Sequence, residues 1–232
     1  MNLDHINIGF VVIWFVVFLF SLSFHEAAHA WTSERFGDDT GRLQGRITLN
    51  PGAHIDPLGT IIFPLISMFT SIPLLGWAKP VETNPLRWRD KTKANISVSA
   101  AGPISNFILM TIAFIALKMM FLSGMLMFNG RFQNFYDVII PAPGQAGFME
   151  PMVMMLSIML ILNLALGIFN LFPIPPLDGS HVLESLLPPQ MADAYGQIRP
   201  YGFILLIAML YFGILNKVLS PISVFVLQLL IG

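Results

Sequence analysis

Two histidines and a glutamate open the chemical reading: His25-Glu26-Ala27-Ala28-His29 is an H-E-x-x-H pentapeptide. On a helix, residues four apart lie about 40° apart around the axis, so both imidazoles face one side and one metal ion can take both. Glu26 stands beside them, where a carboxylate could act as base for a water activated by that metal. A hydrolytic zinc site also needs a third protein ligand and one open position. The best candidate is Asp178, which follows Pro173-Ile174-Pro175-Pro176-Leu177 and precedes Gly179. Prolines at three of four positions end a helix, because each lacks an N–H and clashes with the preceding turn. An extended segment then presents one carboxylate, and Gly179 allows a turn behind it. The chain has no cysteine, so disulfides and thiolate ligation are excluded, and any metal must be held by His, Asp or Glu.

The position of the motif is unusual. Ile8 to Phe24 holds no charged residue, and the pentapeptide follows at once. Ionisable groups at membrane depth are costly, so they signal function by default. The 232 residues are 55% hydrophobic and 11% charged, with mean hydropathy +0.73. A soluble globular chain would carry roughly a quarter charged residues, so this composition marks an integral, multi-pass membrane protein whose surroundings are the lipid bilayer. The net charge of −1 says nothing about nucleic acid, but no basic run is present to bind it, so no nucleic-acid partner is expected. The N-terminus lacks a basic n-region and a small-residue cleavage pattern, so it is not expected to be a cleavable signal peptide. With no internal repeat and no soluble module expected at either end, residues 1–232 read as a single membrane-embedded domain.

Six apolar stretches must position these residues: Ile8 to Phe24, Pro57 to Ala78, Ile96 to Leu117, Pro151 to Leu177, Pro200 to Asn216, and Val218 to Gly232. A helical crossing needs about 20 apolar residues, so the last is marginal. Gly41 to Asn50, with Ile47 and Leu49 alternating between Gly and Asn-Pro-Gly, reads as short extended strands. The expected fold class is therefore an all-α polytopic membrane protein. It has five to six membrane helices or segments, a small membrane-associated β element after the first helix, and a re-entrant segment.

Basic residues select the re-entrant path for Pro57 to Ala78, which contains Pro57, Pro64, Pro73, Gly59 and Gly76. If this segment crossed, the twelve Lys and Arg would divide six against six. If it dips and returns, nine (Arg35, Arg42, Arg46, Lys79, Arg87, Arg89, Lys91, Lys93, Arg199) share a side and three (Lys118, Arg131, Lys217) face the other. The positive-inside rule prefers the second arrangement and makes the nine-charge side cytoplasmic. Helix-breaking residues agree with it where the backbone is covered by protein. The same path makes the first helix and Pro151 to Phe172 parallel, so His25, His29 and Asp178 can meet.

Three motifs in this order resemble the site-2 proteases, zinc metalloproteases that cleave membrane-embedded substrates. They are His25-Glu26-Ala27-Ala28-His29, Ala101-Gly102-Pro103-Ile104-Ser105-Asn106, and Asn170 through Leu177-Asp178-Gly179. The likeness runs from about Phe24 to Leu187. It implies one Zn2+ per chain held by His25, His29 and Asp178, with Glu26 as general base and Asn170 helping to hold substrate or the oxyanion. It also implies a membrane-protein substrate and a small inserted β element, similar to the reading of Gly41 to Asn50. Many members carry a PDZ or CBS module; this chain shows neither, and it leans towards a prokaryotic cell membrane with the site near the cytoplasmic face. A reading from another class is a non-catalytic metal-binding membrane protein, or a small transport or binding protein. Intact Glu26 argues against the first, and the lack of paired repeats against the second.

The remaining polar residues receive structural readings. Asn106 and Asn163 are expected to tie helices together, and Ser97, Ser99, Ala100, Ala101 and Gly102 form a small-residue packing run. His54, in Ala53-His54-Ile55-Asp56, is a candidate gate or extra ligand, with an interfacial loop histidine as the alternative. His181 could orient Asp178 or simply start a helix, and His5 has no assigned role. Trp77 and Trp88 suit an aromatic belt, and Arg87 to Lys93 an anchor on anionic lipid. The sequence sets no substrate identity and no oligomeric state.

Overall fold

A computed structural model describes residues 8–70, 76–130, 138–145 and 147–232. His5, Pro73 and Arg131 lie outside them. The first helix, α1 (Ile8–Arg35), contains the whole uncharged stretch and the H-E-x-x-H motif. After α2 (Thr40–Leu43), a short helix from Pro57 to Ile62 continues into α3 (Phe63–Thr70). The long α4 (Lys91–Leu122) is started by Asp90, whose carboxylate accepts the Lys93 N–H at 3.0 Å. A hairpin of β1 (Leu126–Phe128) and β2 (Ile139–Pro141) leads to α5 (Met149–Asn170). The chain ends through α6 (Asp178–Leu186), α7 (Pro189–Gly196), α8 (Gly202–Tyr211) and α9 (Ile214–Ile231).

Among the described residues, α1, α4, α5 and α9 are long and apolar enough to cross a membrane. On α4, Ile104, Ile108, Ile112 and Ile115 recur at helical spacing and are each about half exposed. That stripe has the pattern of a lipid-facing surface. Away from the metal motif, Ala113, Leu117, Val153, Leu160, Leu227 and Leu230 pack with the hairpin residues Leu126 and Ile139 into one core. Lys118 donates to the carbonyls of Leu229 and Leu230 at 3.0 and 3.1 Å, closing the last turn of α9 at this end.

The segment between α1 and α4 dips and comes back. Asp56 caps its first helix by accepting the N–H groups of Leu58 and Gly59, and Pro57 occupies the first helical position. On return, the Trp77 N–H reaches the Gly59 carbonyl at 3.2 Å, and the Lys79 N–H reaches the His54 carbonyl at 2.9 Å. The Thr60 hydroxyl donates to the Trp77 carbonyl at 2.8 Å. Gly59 permits this closure, since a Cβ there would sit 2.4 Å from the Trp77 ring. Departure and return therefore lie side by side, as the charge distribution anticipates.

Three expectations are corrected. Gly41 to Asn50 is not a β element: it holds the end of α2 and turns, and the two-stranded sheet lies beyond α4 instead. Its backbone finds local partners, with Arg46 N–H bonded to the Gly41 carbonyl and the Thr48 carbonyl taken by the His54 ring. Residues 200–216 are not a crossing. Gly202 packs on Pro175, α8 has only ten residues, and Gly213 breaks the path in a left-handed turn. Ten residues reach about 15 Å, half the hydrocarbon depth, so the span falls to α9, which carries Lys217 in its first turn. Trp88 is no belt residue. It is 7% exposed, and its indole N–H donates to Ser33.

Candidate metal centre

The C-terminal half of α1, the N-terminal half of α4 and the turn after α5 meet around the three expected ligands. Asp178 is the first residue of α6, placed there by the proline-rich turn that stops α5. Its Oδ2 lies 3.2 Å from His25 Nε2 and its Oδ1 lies 3.4 Å from His29 Nε2. The candidate ligand atoms all fall within 4.8 Å of one another. Gly179 is required behind the carboxylate, because a Cβ there would meet the Leu171 carbonyl oxygen at 2.2 Å.

Each imidazole is oriented by the nitrogen that faces away. His29 Nδ1 lies 2.7 Å from the Val98 carbonyl, and His25 Nδ1 lies 2.6 Å from Asn106 Oδ1. Both partners are acceptors, so both Nδ1 atoms carry the proton and both Nε2 atoms present lone pairs. Those two Nε2 atoms are only 3.0 Å apart. Two lone pairs and a carboxylate at such separations repel unless positive charge lies among them. Asp178 Oδ2 is buried without a hydrogen-bond partner, a second sign that the cluster is built to face a cation. Gly102 leaves open the space before both ligand nitrogens, since a Cβ would come within 2.4 Å of His29 Nε2 and 2.5 Å of His25 Nε2. Two imidazoles and a carboxylate with an open side suit a small divalent cation of the zinc type.

A cavity of about 380 Å³ opens beside the cluster, and Glu26, Asn170 and His181 line it with the three ligands. The Glu26 carboxylate accepts the Val81 N–H at 3.0 Å, so the returning segment holds it towards the cavity. Asn170 spends one N–H on the Leu166 carbonyl of its own helix at 3.0 Å. His54 does not join the cluster. It is buried, its Nε2 contacts the Thr48 carbonyl at 3.0 Å, and the cavity wall does not include it.

Three elements escaped the sequence reading. Asn106 is expected only to tie helices, and it is the hydrogen-bond partner of the candidate ligand His25. The Val98 carbonyl and the Val81 N–H are backbone groups, which no residue type announces. Asn106 carried a usable signal: an amide inside an uncharged stretch must find a buried polar partner, and His25 was available.

The chain matches the model of "Peptidase family M50" over residues 13–211. It is 37% identical over 206 residues to "Putative zinc metalloprotease YwhC" of Bacillus subtilis, covering 89% of this chain and 83% of that protein. It is 28% identical over 211 residues to "Putative zinc metalloprotease Rip2" of Mycolicibacterium smegmatis, covering 90% of this chain and 71% of the relative. The protein of the same name from Mycobacterium tuberculosis is 28% identical over 209 residues, with 90% and 70% covered. No solved structure matches the chain.

Proposed function

The chain belongs to peptidase family M50, the site-2 protease family, and from that premise we propose that it is an intramembrane zinc endopeptidase. Its substrates are membrane proteins, cut within or near a transmembrane segment. His25, His29 and Asp178 hold one zinc ion, Glu26 is the general base, and Asn170 steadies the substrate carbonyl oxygen. The observation that carries this reading is the meeting of three acceptor-only ligands, including an orphaned carboxylate oxygen, on the wall that also carries Glu26.

Zinc in that position supplies Lewis acidity, which polarises a carbonyl and acidifies water. The residues do the rest. Glu26 takes the proton of the attacking water and returns it to the leaving amine. The Val81 N–H keeps its carboxylate directed into the cavity. The N–H that Asn170 has left over can meet the developing oxyanion. A substrate helix must unwind to reach the site, since a helical backbone keeps its carbonyls in hydrogen bonds. Phe18, Leu22, Leu166 and Phe169 furnish the cavity with apolar wall for its side chains.

The site faces the cytoplasm in this reading, in the cell membrane of a bacterium like those of the relatives. Support comes from the return of the chain at Gly59 and Trp77, which keeps Arg35, Arg42, Arg46, Lys79, Arg87, Arg89, Lys91 and Lys93 at the end of the molecule that holds the site. The deciding experiment measures zinc content and cleavage of a model transmembrane peptide for the native chain and Glu26→Gln. Zinc retained with cleavage lost is expected. Equal cleavage by both would remove Glu26 as the base.

A further inference from the structure

A backbone carbonyl on α5 dictates which nitrogen of His25 is free to bind metal. The route is a directed chain of buried hydrogen bonds across three helices. Asn163 donates from Nδ2 to the Met159 carbonyl and to Ser21 Oγ, each at 2.9 Å. The carbonyl can only accept, so Asn163 must turn its NH2 that way and present Oδ1 on the opposite side. Asn106 Nδ2 donates to that Oδ1 at 2.9 Å. With its NH2 committed to Asn163, Asn106 presents Oδ1 to His25 at 2.6 Å. An oxygen there can only accept, so His25 must carry its proton on Nδ1 and leave Nε2 bare. Ser21, Asn106 and Asn163 are each 0% exposed, so bulk solvent does not reach these side chains.

We infer that Asn106 and Asn163 are positioning residues for the metal site: together they fix the tautomer and ring angle of His25, with polarity set from the Met159 carbonyl. A free imidazole exchanges between tautomers, and a ligand ring must be caught in the one with its metal-facing nitrogen bare. Removing the acceptor end of the relay frees Asn106 to flip its amide. Its NH2 can then face His25 Nδ1, and this stabilises the tautomer with hydrogen on Nε2, which cannot ligate. Asn163 thereby acts on a metal ligand that it does not touch. The relay also ties α1 to α5, so the helix carrying two ligands is keyed to the one that leads to the third. The inference rests on the zinc reading for its consequence but not for its geometry.

The test uses the full chain in detergent. Zinc affinity, read by chelator competition, is expected to fall about ten-fold in Asn163→Leu and about ten- to a hundred-fold in Asn106→Leu. Asn163→Asp keeps the acceptor facing Asn106 and is expected to stay within about two-fold of native. A merely structural role would lower thermal stability in both Asn163 variants without separating their zinc affinities. Native affinity in a folded Asn163→Leu would overturn the inference. If the leucine variants do not fold, 15N shifts of the site imidazoles in the metal-free native chain decide. Hydrogen on His25 Nδ1 is expected; hydrogen on Nε2 would overturn it. A native chain that takes up no zinc yet shows the Nδ1–H tautomer would sink the protease reading and leave the relay standing.

Discussion

At the scale of single residues, the site is built from what each atom can accept or donate. The two Nε2 atoms and the Asp178 oxygens form a pocket of acceptors, and Gly102 sets its size. In Gly102→Ala, the new Cβ would overlap both ligand nitrogens. The rings must then separate or α4 must back away. Zinc affinity is expected to drop at least about ten-fold, on the scale seen when groups around a metal site are disturbed. Zinc retained per chain after dialysis against a weak chelator checks this, and native retention would contradict the close approach. The candidate ligands were legible from residue type and spacing alone, because metal chemistry constrains both. The partners that orient them were not, because Val98 and Val81 act through backbone atoms that every residue possesses.

At the scale of elements, the returning segment after α3 acts as a strap across the end of α1. Arg46, only 6% exposed, donates to the carbonyls of Ala53, Lys79 and Pro80, while the Val81 N–H rests on Glu26. Replacing Arg46 by Met would orphan these carbonyls at a cost of roughly 3 kcal/mol. Faster hydrogen exchange at the Lys79 and Val81 amides is the expected outcome, with α5 unchanged; uniform protection would show that the strap is held by other means. Farther along, the Asn84 N–H reaches Asp38 Oδ2 at 2.7 Å, and Ser33 and Thr40 donate to the same carboxylate. Burial pushes the Asp38 pKa up, but these hydrogen bonds outweigh it and leave the folded value below the ordinary one. A lowered folded pKa contributes stability above about pH 4 that is lost as pH falls through the folded value. Melting temperatures between pH 6 and pH 3 should therefore fall more steeply for the native chain than for Asp38→Asn. Parallel profiles would deny Asp38 that role. None of this was legible beforehand: Ile47 and Leu49 suggested strands, but the backbone there turns on itself, with the Gly45 and Arg46 N–H groups on the Arg42 and Gly41 carbonyls and the His54 ring on the Thr48 carbonyl.

At the scale of the whole molecule, the path of residues 57–70 decides which ends share a compartment. The chain has no native cysteine, so single cysteines report sidedness without background. Gln44→Cys and Leu86→Cys, both at exposed positions, are expected to react with an impermeant thiol reagent from one side, and Ser123→Cys from the other. Labelling of positions 44 and 86 from opposite sides would mean that the segment crosses, and the charge argument would fail with it. The amino-acid sequence by itself determined the membrane setting, the metal chemistry and the family, because apolar length, ligand type and motif spacing are local properties. It also pointed to the return path, because positive charge is distributed by side and can be counted. Only the tertiary structure decided that residues 200–216 stop short of a crossing, that Trp88 and His54 turn inward, and that Asn163, Asn106 and His25 join in one chain of buried hydrogen bonds. Those outcomes depend on which backbone carbonyl each donor meets, and such meetings exist only once distant helices have packed.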